Sequence, residues 1–539
     1  MKKERLYSCF VDYAKAFDTV CREALLFKMW KYGVQGKFFD CLAYMYKNSN
    51  AKVKLLNKLS AKIDILTGTE QGHPMSPELF KCYIHELSEI LNSMDDINVP
   101  TLNGVKITHL LWADDLVLLA ADPVSLQKMI DRLHQYCSEW GLSVNMDKTA
   151  VMVFNRSGRL LKESLGFTYG NTTIPSARSY CYLGITFSLS GTFLPAQQHL
   201  RQKGLRAYFS LKGTIDIRAL KKSTVFKLFD ALILPVVSYA CQIWLPSTFL
   251  IRELTNPVAG HHLPAIAKDQ LERLHLSFLK WTMGVHKRTS NAAVWGDCGR
   301  YPLGITLLKQ VYDYYERLRH LDLQNSDCLV RHAFKEQIAL NLNWYSNLKV
   351  LRSFLEEQSS DNTVTRSPDR IRVNCRSLFV TFWNEERHNN RKLSFYNEVK
   401  QEFSIEQYLQ MPLTYQQSKR LAQFRASAHR LNCETGRYSA NRKNPLKRLC
   451  TVCSTSDKDT LYDMCELPLA DPIIEDEYHV LRECPLYHDI RMKLSHQTKT
   501  QLFADTAKLF DADTITETAK YILKIYKRRF PPKDTEKKS

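Results

Sequence analysis

Over the first 190 positions the apolar residues alternate between short runs and stripes at helical spacing. Leu6 to Val11 is a continuous apolar run that predicts a buried strand, and Glu23 to Trp30 opens a helix. Lys52 to Leu66 contains strand pairs. From Ser76 to Leu91, residues Leu79, Phe80, Tyr83, Ile84, Leu87 and Leu91 recur on one helix face. Ile107 to Ala113 and Leu116 to Ala121 are apolar runs split by Asp114 and Asp115, which is hairpin spacing with the acids at the turn. Leu126 to Trp140 returns to the helical period, and Gly141 stops it. Helical stripes take over from about Pro195 to Leu323. Leu220 to Leu234 ends at Pro235, and Gln270 to Gly284 carries Leu271, Leu274, Phe278 and Trp281. Leu308, Val311, Tyr315, Leu318 and Leu321 form a further stripe, read as helix core and not as a cofactor pocket. Ser359 to Pro368 is the linker candidate, and a smaller, more polar region follows it.

A chain of 539 residues exceeds one ordinary core, so two to four domains are expected. Hydrophobic residues at 44% and aromatics at 11% make a folding composition, which excludes a disordered chain. Lys and Arg number 75 against 56 Asp and Glu, a net charge of +19 that favours a polyanionic partner through counterion release. A basic but otherwise ordinary protein would share that number. The excess is segregated, however. Arg201, Lys203, Arg206, Lys212, Arg218, Lys221 and Lys222 share one stretch with Asp216 alone; Arg430, Arg437, Arg442, Lys443, Lys447 and Arg448 share another with Glu434 alone. Both suit tracks along a nucleic-acid backbone. Lys524, Lys527, Arg528, Arg529, Lys533, Lys537 and Lys538 read as a frayed, solvated tail. No signal peptide and no apolar stretch of membrane-spanning length is present, and the 15 cysteines are scattered in the way of free thiols in a reducing compartment. Nucleus and cytoplasm are the expected locations.

Candidate chemistry lies where apolar runs end in carboxylates. Asp12 closes the first strand, and Asp114 and Asp115 sit at the hairpin. Two neighbouring strands in one sheet would bring all three to a shared pair of divalent metals. Metals about 4 Å apart clamp the attacking and leaving oxygens of a phosphoryl transfer. Each acid alone reads more simply as a strand end or a turn. Between them stands Gln71-Gly-His-Pro-Met-Ser-Pro77, where Gly72 permits close backbone approach and Gln71 offers an amide. After them come Gly141-Leu-Ser-Val-Asn-Met-Asp-Lys-Thr149 and Tyr182-Leu-Gly184.

The five blocks, in this order with Phe10-Val-Asp-Tyr-Ala-Lys-Ala-Phe-Asp18 first, resemble the reverse transcriptase of non-LTR (LINE-type) retrotransposons. The similarity extends to Leu234-Pro-Val-Val-Ser-Tyr-Ala240, Trp244 and Gly299-Arg-Tyr-Pro-Leu303. The resemblance implies an α+β right-hand polymerase: a palm of helices on an antiparallel sheet over residues 1–194, then a helical thumb over 195–325. It implies an RNA-directed DNA polymerase with two Mg²⁺ ions, an RNA template, a DNA primer or target, and deoxynucleoside triphosphates. By matching position, Asp12, Asp114 and Asp115 would be the catalytic, metal-holding carboxylates, helped by the Val11 carbonyl. Phe17 would exclude a 2′-hydroxyl, Gln71 and Gly72 would line the nucleotide pocket, and Lys148 would lie near the phosphates. Tyr182, Leu183 and Gly184 would form the primer grip. Trp112 stands where the family has Tyr, and Glu70 where it has Arg. The family's fingers and its endonuclease precede the first block and are expected to be missing from this chain. Competing readings are a decayed or domesticated derivative that binds nucleic acid without polymerising, and an RNA-dependent RNA polymerase.

Cys450-Thr-Val-Cys453 is followed by His479 and Cys484, three thiols and an imidazole that suit one tetrahedral Zn²⁺. On spacing alone, free buried cysteines compete evenly, and Cys465, His429 and Cys433 are alternative ligands. The surrounding Arg425 to Leu431, Glu434 to Tyr438, Glu477-Tyr-His479 and Cys484-Pro-Leu-Tyr487 resemble the Cys-Cys-His-Cys module that ends many of these polymerases. The expected order after the thumb is therefore a helical connector over 326–420 with its linker near 359–369, a zinc-knuckle-like module over 421–495, and a helix with a basic tail over 496–539.

Overall fold

Strand β1, Leu6–Val11, is buried on both faces because something packs on each of them. The computed structural model describes residues 5–70, 72–161, 165–248, 266–357, 368–437, 448–451, 453, 473–498 and 506–531. Within them the chain divides into two compact units, Met1–Ala196 with Leu318–Leu342, and Gln197–Arg317 with Asn343–Ser539.

In the first unit β1 pairs antiparallel with β3, Asp115–Ala120, and with β4, Ala150–Phe154; β2, His109–Trp112, closes the other edge. The sheet order is β4-β1-β3-β2. Helices α1, Arg22–Lys31, α3, Ser76–Asn92, and α4, Pro123–Trp140, contribute to the core under one face. Helix α2, Lys37–Lys47, joins through Leu42 and Tyr46. Alternation sorts the strand residues: Cys9, Val11, Leu116, Leu118, Val151 and Val153 face these helices. Phe10, Val117 and Met152 face the opposite way, toward a hairpin of β5, Ser179–Tyr182, and β6, Ile185–Ser188. Cover on both faces explains why the strands read as largely apolar runs, with the buried Ser8 of β1 satisfied by its hydroxyl donating to the Met152 carbonyl at 2.9 Å.

The α4 boundaries follow from its ends. Asp122 caps the start, its Oδ1 accepting the Ser125 N–H at 2.8 Å, and Gly141 ends it in the left-handed region at φ +69°. The helix therefore begins before the expected Leu126. The expected strand pairs in 52–66 are two short ladders, Asn50–Ala51 with Ile63–Asp64 and Lys54–Leu55 with Lys58–Leu59.

The second unit is helical. It includes α5, Leu194–Thr214, for all but its first residues; α6, Lys222–Leu232; α7, Gln270–Met283; α8, Tyr415–Arg425; and α9, Ile515–Arg529. Pro235 does not end the long helix directly. Helix α6 stops at Leu232, and Pro235 opens a short helix, Leu234–Val237, in a first-turn position where its missing N–H costs nothing. Several buried polar groups here are paired, while others, Lys222 and Ser418 among them, are not. Glu272 takes the Trp295 indole N–H at 2.8 Å and the Leu303 N–H at 2.6 Å. Arg425 lies 3.3 Å from Asp297 and 3.0 Å from Glu406.

The basic C-terminal residues correct one expectation. Lys524, Lys527, Arg528 and Arg529 belong to α9, and Arg528 and Arg529 pair with Asp489 and Glu475. The apolar stripe Ile515, Ala519, Ile522, Ile525 and Tyr526 buries this helix and holds its basic end in order. Gln71, Cys465, Arg442, Lys443, Lys447, the last three tail lysines and nearly all of the linker candidate lie outside the described residues. No single helix among the described residues is long and apolar enough to cross a membrane.

Candidate functional site

Register brings the acids together. Val11 pairs with Leu116 across β1 and β3, so the next residue outward on each strand, Asp12 and Asp115, stand opposite one another. Alternation turns both away from the helix-covered face, to the side of Phe10 and Val117. Trp112 pairs with Asp115, which leaves Ala113 and Asp114 as the two-residue turn. The hairpin is thus shifted by one residue from the expected turn at Asp114-Asp115: Asp115 is strand and Asp114 alone is turn. Ala113 holds φ +53°, a conformation in which an L side chain is strained and which sharpens the bend.

Like charge gathers at this corner. Burial raises the Asp115 carboxyl above its ordinary value, and the neighbouring Asp114 and Asp12 raise it further. The Lys148 ammonium lies 3.5 Å from Asp12 Oδ2 and supplies an exposed counter-charge. Asp12, Asp114 and Asp115 are not among the described groups whose ligand atoms all fall within 4.8 Å of one another. Their mutual repulsion and the pull of Lys148 on Asp12 both act to spread them, and a cation placed among them would act the other way.

The block Gly141–Thr149 folds back on the end of β1 and fixes Asp12. The Asp12 N–H donates to Thr149 Oγ1 at 3.2 Å, and the Asp12 carbonyl accepts the Asn145 N–H at 2.7 Å. Ala14 N–H donates to the Ser143 carbonyl at 2.7 Å, and Tyr13 bridges to Val144. Val11 is buried at the strand end. Phe17 is half-buried, its ring 4.9 Å from that of Phe80 on α3.

The segment leading to Gly72 is tied to Phe17. Thr69 N–H donates to the Phe17 carbonyl at 2.8 Å and Gly68 N–H to Val20 at 2.9 Å. Gly68 has φ +84°, and a Cβ there would lie 2.8 Å from the Asp18 carbonyl oxygen, so only glycine fits. The buried Arg22 reaches the Gly68 and Tyr46 carbonyls, each at 2.9 Å. Gly72 itself is exposed at φ +83° with open space where a Cβ would stand.

Tyr182, Leu183 and Gly184 are the tip of the β5–β6 hairpin. Leu183 and Gly184 both have positive φ, +47° and +78°, as a two-residue type I′ turn requires. Tyr180 was not singled out by its sequence context. Its ring stacks on Phe10 at 4.4 Å, and burial with the nearby Asp12 and Asp115 pushes its hydroxyl up to about 12. The available signal was its two-residue spacing from Tyr182, which sets both on one strand face.

A second cluster forms elsewhere. Ligand atoms of Cys450, Cys453, His479 and Cys484 all lie within 4.8 Å of one another, with Cys453 Sγ 3.4 Å from His479 Nε2 and 4.0 Å from Cys484 Sγ. Zn–S bonds of about 2.3 Å in a tetrahedron give edges of roughly 3.8 Å, so the donor set and spacing fit a tetrahedral ion. Hydrogen bonds among the three thiols lower Cys450 and raise Cys453, so the cluster titrates as one unit. Glu483 Oε2 stands 3.4 Å from His479 Nδ1, where a partner orients the ring. His429 and Cys433 belong to a separate group with Glu477, whose Oε1 lies 2.7 Å from His429 Nε2 and accepts the Ser427 hydroxyl at 2.6 Å. The 2.7 Å contact is hydrogen-bond length, and the group reads as a buried network.

Residues 1–187 match the family described as reverse transcriptase (RNA-dependent DNA polymerase). A transposon-derived protein of Caenorhabditis elegans is 34% identical over 143 residues, covering 26% of this chain and 50% of that protein. A Pol polyprotein of the R2 retrotransposable element from Nasonia vitripennis is 28% identical over 198 residues, covering 35% of this chain and 19% of that protein. This chain therefore spans half the length of the first relative and about a fifth of the second. Among solved structures, telomerase of Candida tropicalis aligns over 70% of this chain and 50% of that one at 11% identity, with a TM-score of 0.30, too low to bear on the fold.

Proposed function

The chain carries, over residues 1–187, the reverse transcriptase domain of non-LTR retrotransposons, and from it we propose an RNA-directed DNA polymerase. It extends the 3′-hydroxyl of a DNA primer or target with deoxynucleotides on an RNA template. The observation that supports this best is the register of β1 against β3, which sets Asp12 opposite Asp115 with Asp114 on the adjoining turn. In this reading residues 1–194 are the palm and 195–325 the thumb. A connector over 326–420, a zinc-binding module over 421–495 and a closing helix over 496–539 complete the chain.

Asp12, Asp114 and Asp115, with the Val11 carbonyl, would hold two Mg²⁺, which supply a lowered pKa at the primer hydroxyl and charge neutralisation at the departing pyrophosphate. Burial and, after it, the neighbouring Asp114 and Asp12 raise Asp115, and this gathering of carboxylates is the observation that fits cations at this corner. Lys148, already drawn to Asp12, is placed to meet a phosphate. Phe17, braced by Phe80, fills the space a 2′-hydroxyl would need and selects deoxynucleotides. Gly72 lines the nucleotide pocket, and the tip Tyr182-Leu183-Gly184 supports the primer end. Cys450, Cys453, His479 and Cys484 would hold a structural Zn²⁺, which would tie the segment around Cys450 to the turn at 479–484.

Primer extension on an RNA template tests the reading through the choice of sugar. Wild type is expected to incorporate deoxynucleotides and reject ribonucleotides, and Phe17→Ala to relax that rejection by at least about tenfold. Equal use of both sugars by the wild type would mark a different polymerase and end this assignment.

A further inference from the structure

The second unit contains a cavity of about 210 Å³ between residues 217–222, which lead into α6, and residues 408–418, which lead into α8. Lys222 and Ser418 both line it. Lys222 is only 5% exposed and Ser418 only 2%. Among the described residues neither the Lys222 ammonium nor the Ser418 hydroxyl has a hydrogen-bond partner. The ammonium rests over the Tyr415 ring at 4.3 Å, which stabilises its charge but fills none of its three hydrogen-bonding directions. A buried donor of this kind is costly unless something accepts from it.

The rest of the lining also offers donors and positive charge. Lys221 is the N-cap of α6 and provides no side-chain cap, so the first N–H groups of that helix lack one. The start of α8 is already closed by the Thr414–Gln417 capping box. Among the described residues no carboxylate lines the cavity. Asp216, just outside, is engaged by the Arg218 N–H at 2.9 Å and its guanidinium at 3.1 Å. Burial, with Lys419 nearby, lowers Lys222 to about 8, a direction that a bound anion would reverse.

We propose that this cavity is a phosphate-binding site, and that its occupant is a backbone phosphate of a nucleic-acid strand. A phosphate presents several acceptor oxygens to an ammonium and a hydroxyl that have no partner and to a helix start that no side chain caps. Arg218 and Lys221, both in the lining, stand exposed, so positive surface runs from the cavity out to solvent, as a polyanionic strand needs and a lone ion does not. The cavity's preference for phosphate does not depend on the polymerase reading. The choice of a strand over a free phosphate does rest on it.

The test uses the full chain without divalent metal, so that binding is read apart from synthesis. Fluorescence anisotropy with a labelled single-stranded oligonucleotide is followed over a potassium chloride series for wild type, Lys222→Met and Ser418→Ala. Lys222→Met is expected to weaken binding roughly three- to tenfold and to flatten the slope of log affinity against log salt by about 0.7, the loss of one phosphate contact. Ser418→Ala should weaken it about twofold and serves if the lysine variant fails to fold. The melting temperature of free Lys222→Met should rise, because an unpaired buried charge has been removed. Unchanged affinity and slope in both variants would overturn the site. If inorganic phosphate raises the wild-type melting temperature, the variants lose that shift and oligonucleotide binding is untouched, the strand assignment falls to a free phosphate.

Discussion

Asp115 carries the cost of the acidic corner most directly. Its carboxyl is raised by burial and by Asp114 and Asp12, so the folded chain binds its proton more readily than the unfolded chain does. Stability contributed by this group therefore falls as pH rises through and above the ordinary carboxylate range near 3.9. Asp115→Asn should raise the melting temperature of the metal-free chain at neutral pH, by an amount that solvent screening of this partly exposed group keeps small. Calorimetry that found no rise would show that the crowding costs nothing. Glu477 has the opposite sign. Burial alone would raise it, but His429 and Ser427 hold its carboxyl at about 2. Its stabilisation is complete above the unfolded value and is lost as pH falls from about 4.3 toward 2. Glu477→Gln should cost on the order of 2–3 kcal/mol at neutral pH and remove part of the acid transition, measured by denaturant unfolding at several pH values. That Asp12 and Asp115 end neighbouring strands, and that Cys450, Cys453, His479 and Cys484 cluster, was legible from acids closing apolar runs and from the Cys-x-x-Cys pair. Tyr180, Thr149 and Ser427 were not, since nothing local says which distant group an aromatic ring or hydroxyl will meet.

Periodicity revealed the elements better than their joints. The apolar runs of β1 and β3 and the stripe of α3 follow from local alternation, and Gly141 marks the end of α4 as a glycine should. The hairpin turn was misplaced by one residue because cross-strand pairing of Trp112 with Asp115 sets it, and Ala113 is not a residue that announces positive φ. The turn at Leu183 is hidden for the same reason. Gly68 is a joint of this kind: it lets the run toward Gly72 pass against Asp18. Gly68→Ala should cost about 2–4 kcal/mol through its positive φ and the close Asp18 carbonyl. Chemical denaturation checks this, and a loss under about 0.5 kcal/mol would show that the segment can shift to make room.

At the scale of the molecule, each unit closes its own core, the first around a sheet and the second around helices. A chelator should accordingly act on one of them. Zinc analysis is expected to find about one ion per chain, lost in Cys450→Ser and in His479→Ala. Hydrogen exchange after chelation should rise around 448–451 and 473–484 while β1 to β4 stay protected. Equal loosening of the sheet would contradict that separation. The most direct test of the central claim compares wild type with Asp12→Asn in primer extension on an RNA template, with primer–template affinity measured on the same samples. The prediction is a fall in extension of at least about a thousandfold with affinity within roughly twofold. Extension by Asp12→Asn near the wild-type rate would contradict it.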